Sequence, residues 1–356
     1  MDKTSSATGP EEATAPSLVG LDYFSQTTEA SPEIIEGLIW EGQLAVFAGP
    51  FGMGKTPMLH DITVCVVRGL VWCGRRISKR PVILFDFESA GSTYRLNVQN
   101  TCQRYGVAYP SVPDELEPYL QNSSSNPLTP ALLEALTKPL EERFRLLEDC
   151  LRRKPDAFVI IDPLSLLFPG CDTNKGAVVL TIFSRLRRIL SQYPRAGIWC
   201  SFNLRKRDRK RDSYPSLLRE PRNWLEEIAG SLDIVNRSDV RLGIDTSDHD
   251  EEVRVVNGIR RGEEVEPMLI RSVRLSDDPV VYAGFQSVSA TETDLLESLT
   301  TRQHKHWRAL PDRYRFEEVA DTIVPRSSLS RLHQRLKSLG VLREEGGIFV
   351  KAAGST

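Results

Sequence analysis

The sequence predicts an α/β fold: a mostly parallel sheet covered by helices on both faces, followed by a small C-terminal unit of helices and a hairpin. Three observations carry this. Four short apolar runs, "LAVFAG" (44–49), "PVILFDFE" (81–88), "DAFVIID" (156–162) and "GIWCSFN" (197–203), read as buried strands ending in polar or glycine residues. Helical stretches near 54–68, 90–105, 131–153 and 177–192 separate them, and such β-α alternation gives parallel strands with crossover helices. A glycine-rich loop, "GPFGMGKTP" (49–57), joins the first of these strands to the first helix.

The elements follow in order. Residues 1–18 are rich in Ser, Thr, Ala, Pro and Glu and are expected to be disordered. The acidic, apolar-poor start does not read as a signal peptide. Residues 19–288 read as the main domain. Within it, 106–130 holds five prolines and a serine run, and is expected to be a loop insertion with little regular structure. After the fourth strand come "VRLGID", "EVRVVNGIRR" and "EPMLIRSVRL", which have antiparallel character. The texture changes near 287–292, so 289–356 reads as a second, small domain. Its helices are expected around 291–300, 315–323 and 327–339, with a hairpin in "VLREEGGIFVKA". In the last helix Leu329, Leu332, Leu336 and Leu339 share one face, and Gly340 terminates it.

Composition excludes several classes. A chain of 356 residues, 40% hydrophobic and 26% charged, is an ordinary soluble composition with room for one large and one small domain. The net charge of −2 provides no global basic field, so affinity for nucleic acid must come from local clusters. Cys65, Cys73, Cys102, Cys150, Cys171 and Cys200 are scattered without metal-ligand spacing, which fits buried thiols in a reducing cytoplasm. The apolar stretches are broken by Arg68 or Asp162, so no membrane span and no membrane partner are expected.

Gly49, Gly54, Lys55 and Thr56 complete G-x-x-x-x-G-K-T. In such a loop the glycines let backbone N–H groups turn toward phosphates at a helix N-terminus. Lys55 would reach the β- and γ-phosphates of ATP, and the Thr56 hydroxyl would hold Mg²⁺. Gly49, Pro50, Phe51, Gly52, Met53, Gly54, Lys55, Thr56 and Pro57 are thus the candidate ATP-binding residues. Pro57 is compatible with the site, because a first-turn residue has no intrahelical acceptor for its N–H. Asp162, after four apolar residues, is the candidate acid that orders Mg²⁺ with Thr56. Glu88, where the second strand is expected to end, is placed to polarise the attacking water. Asp86, two residues earlier on the same face, is its rival.

These residues resemble the RecA-like ATPase superfamily, and within it the RepA-type hexameric helicases of plasmids and mobile elements. The similarity runs from about residue 36 to about 285. It rests on "EGLIWEGQLAVFAGPFGMGKTPML", "FDFESAGSTYRL", "FVIIDPLSLL", "CSFNLRKR", "WLEEIAGSLDIVNRSDVRLGI" and "NGIRRGE". The resemblance implies a RecA-like P-loop core in which Glu88 is the catalytic glutamate and Asn203 senses the γ-phosphate. The family often carries histidines at this strand end, where this chain has Phe202 and Asn203. It also implies an arginine finger, best matched by Arg260, with Arg261 as runner-up, and a homo-oligomeric ring, a hexamer.

"LRKRDRKRD" places six basic residues, Arg205, Lys206, Arg207, Arg209, Lys210 and Arg211, directly after the sensor strand. A dense basic loop on a nearly neutral chain is the footprint that phosphate binding needs, the other reading being a solvated flexible loop. In RecA-like rings, which the chain resembles, loops at this place project into the central pore, so the resemblance implies single-stranded DNA as the partner. No aromatic residue interleaves the run, so base stacking is not indicated there. The C-terminal unit resembles a winged helix, whose candidate recognition helix carries Arg326, Arg331, Arg335 and Lys337. Such units also dock proteins, and Glu344 and Glu345 in the wing would repel phosphate. DNA and a replication or regulatory protein therefore both remain open as its partner. The expectation is an ATP-driven motor on single-stranded DNA, a replicative helicase. The alternatives are a regulatory ATPase switch that recruits partners through the winged helix without unwinding, and an initiator in which ATP supports assembly only.

Overall fold

The computed structural model describes residues 31–120, 140–168, 170–205, 215–275, 281–289, 292–293, 295 and 299–351. A two-strand ribbon, β1 (Glu33–Ile35) with β2 (Ile39–Trp40), leads into β3 (Leu44–Gly49) and α1 (Lys55–Arg68). Then follow β4 (Val82–Asp86), α2 (Gly91–Tyr105), β5 (Leu116–Leu120) and α3 (Leu140–Arg153). Next come β6 (Phe158–Asp162), α4 (Leu164–Leu167), α5 (Gly176–Gln192) and β7 (Gly197–Asn203). Two short helices, α6 (Pro221–Leu225) and α7 (Asp233–Arg237), precede β8 (Val240–Thr246). The sheet is finished by β9 (Val253–Arg260), β10 (Glu263–Glu264), β11 (Met268–Ser272) and β12 (Phe285–Ser287).

The central sheet runs β12-β11-β9-β8-β3-β7-β6-β4-β5, with β10 paired to β9. From β5 to β8 every pairing is parallel; from β8 to β12 every pairing is antiparallel. Strand alternation sends side chains to two cores. Leu44 and Val46 join Ile83, Val159 and the apolar sides of α3 and α5 on one face. Ala45 and Phe47 join Leu84, Ile160 and the apolar sides of α1 and α2 on the other. Both faces are covered, which is why these strands read as continuous apolar runs.

The four expected strands and the helices between them are present, the third helix being described from Leu140 onward. Two corrections arise. β5 lies inside the segment expected to be irregular, paired parallel to β4. Its sequence, LEPYL, hides it: Pro118 is tolerated because β5 is an edge strand. Glu117, buried there, is neutralised by Lys154 at 2.6 Å and by Arg153. β4 ends at Asp86, not at Glu88. The Phe87 N–H still bonds the Asp162 carbonyl, but the Glu88 and Ser89 N–H groups turn to the Asp86 side chain.

The C-terminal part contains α8 (Thr301–Ala309), β13 (Arg313–Arg315), α9 (Phe316–Val319), α10 (Arg326–Ser338), β14 (Leu342–Glu345) and β15 (Ile348–Lys351). The helix expected around 291–300 falls largely outside the described residues, and α8 begins only after it. Thr300 and Gln303 form a capping box that fixes this start. The strands order as β13-β15-β14 around a separate core of Trp307, Tyr314, Leu329, Leu332, Leu336 and Phe349. Arg308 ties α8 to the main sheet through Asp250 at 2.6 Å and Glu252 at 3.1 Å. No helix among the described residues is long and apolar enough to cross a membrane. Tail residues 1–18 and the part of the expected loop after residue 120 lie outside the described residues.

Candidate nucleotide site

The loop between β3 and α1 is shaped by its glycines. A Cβ on Gly49 would lie 2.6 Å from Ile244 Cγ2 and 2.8 Å from the Ile244 carbonyl, so no side chain fits there. Gly54 caps α1 at φ 85, a left-handed conformation that glycine adopts without strain. The first helical N–H bond of α1 belongs to Met58, donating to the Gly54 carbonyl at 3.0 Å. Pro57 therefore sits where no intrahelical bond is lost, as its position in the first turn predicts. The Lys55 ammonium closes the loop, donating to the Gly49 carbonyl at 2.9 Å and the Pro50 carbonyl at 3.1 Å. Burial lowers its pKa, against the charges of Asp162 and Glu88. Phe51 stands almost fully exposed at the loop tip, and Gly52 and Met53 complete the turn back to the helix.

The acids converge on Thr56. Its hydroxyl lies 2.6 Å from Asp162 Oδ2 and 3.4 Å from Glu88 Oε2. Asp162 is fully buried at the end of β6, and its Oδ1 accepts from Ser201. Burial, and then the Asp86 charge, raises the Asp162 pKa to about 6, against hydrogen bonds from Ser201 and Thr56. A site of crowded carboxylates and a hydroxyl, all hard oxygen donors, is one that a divalent cation relieves. Among the described residues no group of three or more His, Cys, Asp or Glu is arranged to hold a metal alone.

The two rival acids are separated by environment. Glu88 is exposed beside Thr56. Asp86 is fully buried, and both of its oxygens are occupied: Oδ1 by the Glu88 and Ser89 N–H groups, Oδ2 by His60 Nε2 at 2.8 Å. It is not free to meet a water in the site. Asn203 ends β7, exposed and in register with Gly49, so it faces the same end of the sheet. Gly49, Glu88, Asp162 and Asn203 thus gather at the carboxyl ends of four adjacent parallel strands, the usual place for a ligand in such a sheet.

Arg260 lies elsewhere. It pairs with Val240 at the amino end of β8, and Val240 in turn pairs with Ala45. Gly49 is four residues further along β3, about 13 Å at strand rise. The Arg260 guanidinium stacks on Trp40, 3.3 Å from the ring centroid. Within its own chain it does not approach the phosphate loop. Arg261 is exposed, in a left-handed turn at φ 45.

Of the basic run, Arg205 is described, and its guanidinium donates to the Gly230 carbonyl at 2.9 Å. Lys206, Arg207, Arg209, Lys210 and Arg211 lie outside the described residues. On α10, Arg326 is held by Glu317 and Asp321, and Lys337 by Glu344. These two cations, expected to be suited to phosphate, are already paired. Sequence reasoning missed Ser201, His60 and Asn97. Ser201 carried a signal, since it is a lone hydroxyl in an apolar strand two residues before Asn203. His60 and Asn97 carried none, because each meets its partner only when two helices close over β4.

The AAA domain family matches residues 10–198, more than half of the chain. The match takes in the phosphate loop, Glu88 and Asp162. No curated protein matches the chain significantly. Among solved structures it is similar to the crystal structure of the RadB recombinase, at 14% identity over 70% of this chain and 92% of that one, with a TM-score of 0.43. The phosphate loop, its acids and the family match lead to one conclusion: the chain belongs to the AAA domain family, and its core is a P-loop ATPase domain.

Proposed function

We propose that this chain is a ring-forming ATPase of the RepA type that couples ATP hydrolysis to movement on single-stranded DNA, as a cytoplasmic helicase of a mobile element. The observation that carries hydrolysis is Thr56 held between Asp162 and Glu88. Thr56 and Asp162 would hold Mg²⁺, which when bound offsets charge on the β- and γ-phosphates. Lys55 binds the same phosphates, and the loop N–H groups orient them. Glu88 takes the proton as a water oxygen attacks the γ-phosphorus, and ADP leaves. Asn203, beside Gly49, hydrogen-bonds the γ-phosphate and reports its loss to the basic run that follows β7.

Glu88→Gln tests the proton step. It is expected to keep ATP affinity and to lose turnover by about 10²–10⁴-fold, the usual contribution of a general base. If Asp86→Asn shows that phenotype while Glu88→Gln remains active, the assignment is reversed.

The DNA reading rests on the basic run. Neutralising Arg205, Lys206, Arg207, Arg209, Lys210 and Arg211 together is expected to weaken binding to single strands of any sequence. With about four phosphate contacts at roughly 0.7 each, the slope of log affinity against log salt shrinks by about 3. An unchanged slope identifies the run as a solvated tether. Motor action itself is tested by strand displacement from a partly single-stranded duplex: displacement with ATP, and none with a non-hydrolysable analogue, supports it.

The C-terminal unit we read as a winged helix spanning 289–356. The pairing of Arg326 and Lys337 with acids favours a protein partner, such as a replication or regulatory factor, over DNA.

A further inference from the structure

A buried polar chain runs behind the acids. His60 lies on α1, five residues after Lys55, and Asp86 ends β4; Asn97 belongs to α2. All three are at most 2% exposed. The Tyr282 N–H donates to Asn97 Oδ1 at 3.0 Å, Asn97 Nδ2 lies 3.2 Å from His60 Nδ1, and His60 Nε2 lies 2.8 Å from Asp86 Oδ2. Asp86 Oδ1 then accepts from the Glu88 and Ser89 N–H groups at 3.0 and 2.9 Å.

The direction of this chain is determined at its ends. A backbone N–H only donates, so Asn97 must turn its oxygen to Tyr282 and its amide N–H to His60. His60 Nδ1 is then the acceptor, and the ring proton sits on Nε2, aimed at Asp86. The ring is further held edge-on against Tyr94, centroids 5.2 Å apart at 87°. Asp86 is thus supplied with a donor on one oxygen, and its other oxygen clamps the turn that carries Glu88. The nucleotide-binding helix and the turn carrying Glu88 are joined by one directed set of bonds.

We propose that His60 is a positioning residue for ATP hydrolysis: through Asp86 it fixes the backbone of Glu88, so that the Glu88 carboxylate faces Thr56 and Asp162. The inference rests on Glu88 being the base and adds the device that places it. Asp86 and His60 do not touch substrate. Their removal acts on geometry, and misplacement by about 1 Å costs about 10²-fold in rate.

The test compares His60→Ala, His60→Gln and Glu88→Gln in the full chain, reading kcat and KM for ATP. His60→Ala is expected to lower kcat by about 10²-fold while KM moves by less than about threefold, since phosphate binding depends on Lys55 and the loop. A glutamine amide can donate to Asp86 and accept from Asn97, so His60→Gln is expected to recover to within about tenfold of the unaltered chain. Should His60→Ala fail to fold, Asn97→Ala removes the bond that orients the ring and is expected to lower kcat about tenfold at constant KM. Inactive Glu88→Gln with a fully active, folded His60→Ala overturns the inference alone. So does a His60→Gln variant no better than His60→Ala, or a loss that appears in KM. Full activity of Glu88→Gln overturns the reading of the site and the inference with it.

Discussion

Lys55→Ala is expected to reduce ATP turnover to background, a fall of at least about 10²–10³-fold for a lost cation on a transferring phosphoryl group. The reason is geometric as well as electrostatic. Lys55 Nζ is held 2.9 Å from the Gly49 carbonyl and 3.1 Å from the Pro50 carbonyl, in the mouth of the loop itself. No other cation of the phosphate loop is available to replace it: residues 49–57 contain no arginine and no second lysine. Burial also lowers its pKa, because the charged form is less solvated there, against the charges of Asp162 and Glu88. Turnover and ATP affinity are the measurements, with circular dichroism to show that the variant folds. Undiminished hydrolysis by folded Lys55→Ala protein would remove the phosphate loop from the mechanism.

Arg260→Ala is expected to be equally inactive, for a reason that lies in a neighbouring subunit. Arg260 sits at the amino end of β8, about 13 Å down-strand from its own phosphate loop. If it stabilises γ-phosphate charge, it does so on the ATP of the next subunit in the ring, and fingers of this kind contribute about 10³–10⁵ in turnover. Lys55→Ala and Arg260→Ala then damage opposite sides of one interface. In co-assembled oligomers a Lys55→Ala subunit offers its intact Arg260 to a neighbour whose intact Lys55 holds ATP. With random mixing about a quarter of interfaces regain both groups, so two inactive proteins together recover measurable activity. Mixed oligomers that form and stay inactive would mean either that Arg260 acts within its own subunit or that partly repaired rings cannot fire. A fully active Arg260→Ala would end the finger assignment.

What could be read from the sequence was what is local in it. The phosphate loop occupies nine consecutive residues, and its proline could be judged from helix geometry alone. β3, β4, β6 and β7 are buried on both faces and announce themselves as apolar runs. β5 did not, because an edge strand can hold Pro118 and can pair Glu117 with Arg153 at the end of α3 and with Lys154 just after it. The choice of Glu88 over Asp86 was posed by spacing, but the difference between them depends on His60, 26 residues away and on another element. Arg260 was singled out by the resemblance alone, as an arginine before a glycine turn. Its distance from the loop follows from the register of three strands, which no local pattern encodes. The cations of α10 looked available until Glu317, Asp321 and Glu344 were brought beside them by folding.

ATP turnover measured with and without single-stranded DNA tests the motor most directly. A ring that works on DNA is expected to hydrolyse ATP faster when the strand is present, with the stimulation falling as salt rises because the contacts are to phosphate. Turnover that is the same with and without DNA, at low salt and at saturating ATP, would contradict the account and leave a P-loop ATPase that acts on something else.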